Sequence, residues 1–201
     1  MGKSKGNKLP LGKHKYPFLV GNNIYLRPLA EQDLEGDYLN WFNDSEVCQY
    51  NSHHVFPMTK EKAEEYIKKV SSSGTDLVLA IVLNTNNRHI GNISLQNINY
   101  VNRSAEFAII IGDKKSWGKG YGQQATHLII KHGFKQLNLH RIYLGTSVEN
   151  IAMQKLAKAV GMSQEGIRKE AMFKNGQYRD IVEYGILDSQ FLINIKKDKN
   201  K

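Results

Sequence analysis

One stretch of this chain constrains the fold more than any other: an apolar run that passes into a glycine-rich loop and then into a helical pattern. Residues Ser104–Ile111 end in Ala-Ile-Ile-Ile, the signature of a strand buried on both faces. Trp117-Gly-Lys-Gly-Tyr-Gly122 follows, and residues 121–136 then read as a helix. In such a unit, glycines let successive backbone N–H groups turn toward one point, and the helix N-terminus adds its dipole. The result suits a pyrophosphate, although a plain structural turn before a helix uses the same residues. Other phosphate cradles do not fit. A dinucleotide fingerprint needs glycine where Gln123 stands, and a P-loop needs Ser or Thr after Gly-Lys, where Gly120 stands.

Around this unit, strands and helices mix without internal repeat. Residues 23–27 alternate like a strand, and residues 30–43 read as an amphipathic helix with Leu34, Tyr38, Leu39 and Phe42 on one face. Thr59 is a good N-cap for a helix over 60–70, whose acids come early and whose Lys68 and Lys69 come late, matching the dipole. Residues 77–83 and 89–96 are strand-like, and Asn84-Thr-Asn-Asn87 between them has hairpin composition. Another strand is predicted over 141–148, a helix over 150–160, and a left-handed C-terminal residue at Gly161. Two closing strands, about 163–173 and 177–187, flank Asn175-Gly176, a strong hairpin signal. The class is α/β with a mixed sheet, in one domain over 21–190, between a flexible basic tail at 1–20 and a second at 191–201.

Charge and composition exclude several functions. The chain of 201 residues has a formal charge of +9. Most of that excess lies at the ends: Lys3, Lys5, Lys8, Lys13 and Lys15 with no acid, and Lys196, Lys197, Lys199 and Lys201 against Asp198. No basic groove with interleaved aromatics is apparent in the body, so no specific nucleic-acid partner is expected. No segment has the apolar length of a membrane span, no signal-peptide pattern is present, and Gly6 breaks the myristoylation pattern. Cys48 is the single cysteine, expected to be a buried side chain and not a nucleophile. His53, His54, His127 and His132 lack ligand spacing, so no metal is expected. These features fit a cytoplasmic enzyme; monomer and homo-oligomer are equally compatible with them.

The run from Ser104 to Gly161 resembles the core of the GNAT acetyltransferases, and the likeness extends loosely over 22–190. Their CoA-binding signature is Gln or Arg, two residues, Gly, one residue, then Gly or Ala. Here Trp117-Gly-Lys-Gly120-Tyr-Gly122 stands in register, with Trp117 in the first position. A second signature follows: Ile142-Tyr-Leu-Gly-Thr-Ser-Val148, Glu149-Asn150, a short helix, and Val160-Gly161-Met162. Arg27-Pro28-Leu29, Trp41-Phe-Asn-Asp44 and Asn175-Gly-Gln-Tyr-Arg-Asp180 are similar to the ribosomal-protein N-acetyltransferase branch and its polyamine-acetylating relatives. The resemblance implies a mostly antiparallel sheet of about seven strands with about four helices, splayed between the fourth and fifth strands. It also implies acetyl-CoA as cosubstrate and a primary amine as acceptor: a peptide N-terminus or small-molecule amine, with polyamine or amino-sugar nucleotide as alternatives. A catalytically silent CoA-binding module is the rival of another class.

The same resemblance assigns roles. Backbone groups of Ile109, Ile110 and Ile111 are expected along the pantetheine arm, amides of Trp117, Gly118, Lys119, Gly120, Tyr121 and Gly122 at the pyrophosphate, and Asn150 near the pantetheine. Glu106, three residues before the Ile run, is the candidate general base acting through water; an ion-paired strand Glu is the alternative. The tyrosine acid common in this family is replaced by Ala157, and the serine of the ribosomal branch by Met153. Ser147, Tyr143 and Tyr178 stand as further acid candidates. For the acceptor entrance, the loop 44–57 and the hairpin 174–180 offer Tyr50, His53, Phe173, Tyr178 and Arg179. Arg179 either favours an acceptor with an acidic group or simply pairs with Asp180 across the hairpin. Acids at Glu31, Asp33, Glu35, Asp37, Glu61, Glu64 and Glu65 fit a cationic acceptor or, equally, solvated helix faces.

Overall fold

The segment Leu77-Val-Leu-Ala-Ile-Val-Leu83 is apolar at every position, and the fold explains why. As strand β3, it is buried on both faces: Leu79 and Ile81 join one apolar cluster, while Val78, Ala80 and Val82 join another on the opposite side. The computed structural model describes residues 16–191. Its strands are β1 (Leu19–Val20), β2 (Ile24–Pro28), β3, β4 (His89–Asn99), β5 (Ser104–Ile111), β6 (Arg141–Ser147), β7 (Ser163–Lys174) and β8 (Gln177–Leu187). They form one sheet in the order β1-β2-β3-β4-β5-β6-β8-β7, antiparallel at every pairing except β5 with β6.

Helices cover both faces. On one side lie α3 (Tyr121–Lys135) and α4 (Ile151–Ala159), with Ala125, Ile129, Ile130 and Ala157 in the larger cluster. On the other lie α1 (Tyr38–Asn43) and α2 (Lys60–Ser71), which bury Tyr38, Trp41, Phe42, Ala63 and Ile67. Thr59 caps α2 by accepting a hydrogen bond from Lys62 N, and Gly161 takes the left-handed conformation after α4. Asn175 and Gly176 both have positive φ, 52° and 77°, as a two-residue type I′ hairpin requires.

The structure departs from the sequence expectation in three places. The helix expected over 30–43 is a 3-10 turn, Glu31–Glu35, followed by α1, because Gly36 is extended between them. Asp33 in that turn points inward to form a buried ion pair with Arg27 instead of joining a solvated acidic face. Strand β4 runs three residues beyond its expected end. A bulge between Gln96 and Asn99, with Asn97 at φ 51°, lets pairing with β5 resume. The sheet also begins inside the expected N-terminal tail, where Leu19 and Val20 pair with Leu26 and Tyr25. The lysines of both tails lie outside the described residues.

Candidate active site

Strands β5 and β6 pair at only three positions: Ser104 with Arg141, Ala105 with Ile142, and Glu106 with Tyr143. Beyond Glu106 they part, so the β6-facing edge of β5 from 107 to 111 has no backbone partner among the described residues. This is the expected splay. Its backbone chemistry follows from alternation along an antiparallel pair. Gly112 N donates to Ile90 O at 3.0 Å, which makes Gly112 and Ile90 a hydrogen-bonded pair and directs Ile110 toward β4 as well. Ile109 and Ile111 therefore present their backbone groups to the splay, and Ile110 does not. Ile111 O already accepts the Trp117 indole N–H at 2.7 Å, which fixes that half-exposed ring at the mouth of the loop.

The glycine loop closes one end of the splay. Gly118 and Gly120 have φ of +72° and +78°, and a Cβ built at either would meet no protein atom within 4 Å. These positions need glycine for their backbone conformation, not to make room for a neighbouring side chain. Gly120 also serves as N-cap of α3 without any side-chain cap. Among the described residues, no protein acceptor takes a hydrogen bond from the amides of Gly118, Lys119, Gly120, Tyr121, Gly122 or Gln123. A run of six unpaired N–H groups at a helix N-terminus fits the pyrophosphate of acetyl-CoA.

Asn150 stands at the N-terminus of α4. Its Oδ1 caps α4 by accepting from Met153 N at 3.1 Å, and its Nδ2 donates to Thr146 Oγ1 at 3.1 Å. Each side-chain end makes one bond within the protein, which leaves a second Nδ2 hydrogen and a second Oδ1 lone pair. Ala157 is 1 % exposed in the core and Met153 packs against it, so neither position presents an acid. Cys48 is fully buried, and burial pushes its thiol pKa up, partly offset by the Lys174 charge; an acyl-cysteine route has no accessible nucleophile.

Glu106 sits at the last paired position before the splay and accepts a hydrogen bond from Asn97 Nδ2 at 3.0 Å. Ala105 and Phe107 face the α3 side of the sheet, so Glu106 faces the other. By the same alternation Tyr143 and Ser147 share the Glu106 face. Ser147 lines a cavity of about 220 Å³ together with Gln49, Tyr50, Glu149, Met172, Lys174, Asn175 and Arg179. From Tyr143 to Ser147 is four residues, roughly 13 Å along a strand. Glu106 thus lies at the apex of the splay, while the cavity lies toward its open end, where Ser147 ends β6.

The acceptor-side residues divide. Tyr50 and Arg179 line the cavity, whereas Phe173 and Tyr178 pack edge to face on the hairpin, 60 % and 65 % exposed. The His53 ring packs edge-on to Phe42; its local desolvation and then the Lys174 charge lower its pKa, favouring neutral imidazole. Arg179 pairs with Glu149, and Asp180 pairs with Lys169 at 2.8 Å, so the alternative of an Arg179–Asp180 pair across the hairpin does not form. Glu149 and Lys174 escaped the sequence reading as cavity residues. Glu149 stood in a CoA signature and Lys174 beside a turn, and no spacing links 149 or 174 to the loop at 49–53.

A strand that opens beside its neighbour, next to an unpaired amide loop at a helix N-terminus, defines a CoA-dependent acyltransferase. The family comparison agrees: residues 23–163 match the acetyltransferase (GNAT) domain, and the chain belongs to that family. It is an acetyl-CoA-dependent N-acetyltransferase. It is 32 % identical to a spermidine N(1)-acetyltransferase of Vibrio cholerae over 173 residues, covering 86 % of this chain and 98 % of that one. It is 31 % identical to a spermidine N(1)-acetyltransferase of Escherichia coli over 176 residues, covering 87 % and 91 %. A putative ribosomal N-acetyltransferase of Bacillus subtilis is 32 % identical over 101 residues, half of this chain and 55 % of that one. Among solved structures, the V. cholerae spermidine N-acetyltransferase in complex with CoA and spermine superposes with a TM-score of 0.78 at 31 % identity, covering 85 % and 98 %.

Proposed function

We propose that this enzyme acetylates the primary amine of a small molecule or a peptide N-terminus that enters through the cavity between the 44–57 loop and the β7–β8 hairpin. The carrying observation is that this cavity and Glu106 share one face of the sheet, at opposite ends of the β5–β6 splay. Acetyl-CoA supplies the acyl group as a thioester. The free amine attacks the carbonyl, the C–N bond forms, the C–S bond breaks and CoA leaves as its thiolate. Glu106 takes the surplus amine proton through water. The base has unequal work with different acceptors. At pH 7, deprotonating an α-amine costs roughly 1–1.4 kcal/mol and a lysine-like amine about 4.6 kcal/mol. CoA release without a dedicated acid is reasonable for a thiol with a pKa of about 8.5. We place the reaction in the cytoplasm, where a lone thiol such as Cys48 persists in reduced form.

A polyamine acceptor is the second reading, favoured by the likeness to two spermidine N(1)-acetyltransferases. The Glu149–Arg179 pair distinguishes the two. While Arg179 neutralises Glu149, the pair presents no net charge to the acceptor; without Arg179, Glu149 faces the cavity as an unpaired carboxylate and favours a cationic amine. Free-CoA release from a panel of spermidine, a peptide with a free N-terminus and an amino-sugar nucleotide tests the function. Arg179→Ala should shift kcat/KM toward spermidine relative to the acidic acceptor. No CoA release above background hydrolysis with any amine, in a protein that binds acetyl-CoA, would overturn the proposal in favour of a silent CoA-binding module.

A further inference from the structure

Lys174 ends strand β7 at the tip of the hairpin, and it is only 9 % exposed. A buried ammonium ordinarily has a carboxylate partner. Among the described residues, Lys174 has none within ion-pair distance; instead Nζ donates to two backbone carbonyls, Asn51 O at 3.1 Å and His53 O at 2.6 Å. Both acceptors lie in the 44–57 loop, more than 120 residues away in sequence.

That loop is fastened at its base by other groups. Asn43 holds both ends together, donating to Met58 O and accepting from Met58 N, each at 2.8 Å. Lys114 pairs with Asp44 and Glu46 near the start, and Cys48 Sγ donates to Trp41 O. At the far end the situation is different. Among the described residues, the two Lys174 bonds are the hydrogen bonds that cross from the loop to the hairpin. Lys174 also lines the cavity, together with Tyr50 from the loop and Arg179 from the hairpin. One side chain thus makes the hydrogen bonds that join the two segments lining the cavity.

We propose that Lys174 is a positioning residue for the amine acceptor, stapling the 44–57 loop to the β7–β8 hairpin so that the acceptor cavity is formed before the amine arrives. The inference rests on the acceptor reading of this cavity. A charged donor on two carbonyls makes strong contacts, and among the described residues no other hydrogen bond crosses from the loop to the hairpin, so the staple controls loop order without touching the CoA side. Loss of Lys174 removes preorganisation and raises KM for the amine, while the glycine loop, on another element, keeps its cofactor affinity.

The test compares wild type, Lys174→Met and Lys174→Arg in the full chain. Amide exchange over residues 44–57, read without any acceptor, should rise roughly 10- to 100-fold in Lys174→Met, the range of a charge-assisted hydrogen bond. Exchange over 117–124 and the acetyl-CoA-induced melting shift should not change. With the best amine of the panel, KM should rise about tenfold or more in Lys174→Met with kcat within a factor of about two, and Lys174→Arg should recover most of the affinity. Unchanged loop exchange overturns the staple, as does equal loss of acetyl-CoA affinity. Faster exchange with unchanged amine KM overturns the positioning role. If Lys174→Met does not fold, Lys174→Gln, which keeps a donor, replaces it with the same readouts. A wild type that acetylates no amine but shows the exchange difference contradicts the acceptor reading and leaves the staple standing.

Discussion

Replacing Gly120 with Asp puts a Cβ and a carboxylate where the amides of the loop converge, and the structure separates the two effects. The Cβ is free of contact, since no protein atom lies within 4 Å of it, but φ is +78°. Left-handed backbone costs an L-residue about 1–2 kcal/mol, and the N-cap preference for Asp over Gly offsets a few tenths. For a chain of this size each kcal/mol moves the melting temperature by roughly 2–4 °C, so the ligand-free variant should melt roughly 2–8 °C below wild type. In the proposed cradle the carboxylate would act on the cofactor, repelling the pyrophosphate from a site where six amides have no acceptor among the described residues. Acetyl-CoA at a hundred times its Kd stabilises wild type by about 2.7 kcal/mol, a rise of roughly 5–11 °C. Differential scanning fluorimetry should show that rise in wild type and none in Gly120→Asp. Gly120→Ala, which has the strain without the charge, should retain a measurable part. A folded Gly120→Asp with the full wild-type rise would refute the cradle.

The remaining predictions concern the base and the core. Glu106→Gln should keep the acetyl-CoA melting shift and lower kcat by roughly 10²–10⁴-fold; near-wild-type turnover over pH 6–9 would return Glu106 to a structural role. Arg27 and Asp33 are 4 % and 5 % exposed, so Arg27→Met leaves a buried carboxylate without its main partner and should cost about 3–5 kcal/mol by urea denaturation. For Asp33, burial opposes ionisation, but hydrogen bonds and charge from Arg27 and His89 outweigh it and depress the folded-state pKa. Its stabilisation is thus complete above the unfolded pKa of about 3.9 and fades as pH falls below it. The melting gap between wild type and Asp33→Asn should narrow below about pH 4, and a gap independent of pH would contradict the assignment.

The sequence reveals elements whose signals are local. The all-apolar β3, the Asn175-Gly176 turn, the Thr59 cap and the glycine loop each follow from periodicity, dihedral demand or capping chemistry within a few residues. What it conceals is set by distant partners. The 30–43 pattern is helical by spacing, yet Asp33 finds Arg27 and His89 and the helix breaks at Gly36. Asn150 stands in a CoA signature, and its part as N-cap of α4, bonded to Met153 N and Thr146 Oγ1, shows only in the folded chain. Arg179 has Asp180 beside it in sequence and Glu149 beside it in space. Side chains of adjacent strand residues point to opposite faces, so the neighbour in sequence is the wrong partner. Lys174 carries no signal at all until the loop at 51–53 is folded against it.

We propose that the loop from Gly118 to Gln123 holds acetyl-CoA through backbone amides that have no acceptor among the described residues. The most direct test is residue-resolved amide exchange or ¹⁵N chemical shifts on the wild-type protein, with and without saturating acetyl-CoA. The account predicts that the amides of residues 118–123 exchange at least about tenfold more slowly when acetyl-CoA is bound, as expected when exposed donors gain charged acceptors. Binding that leaves those amides unprotected, with the change concentrated elsewhere, would contradict it.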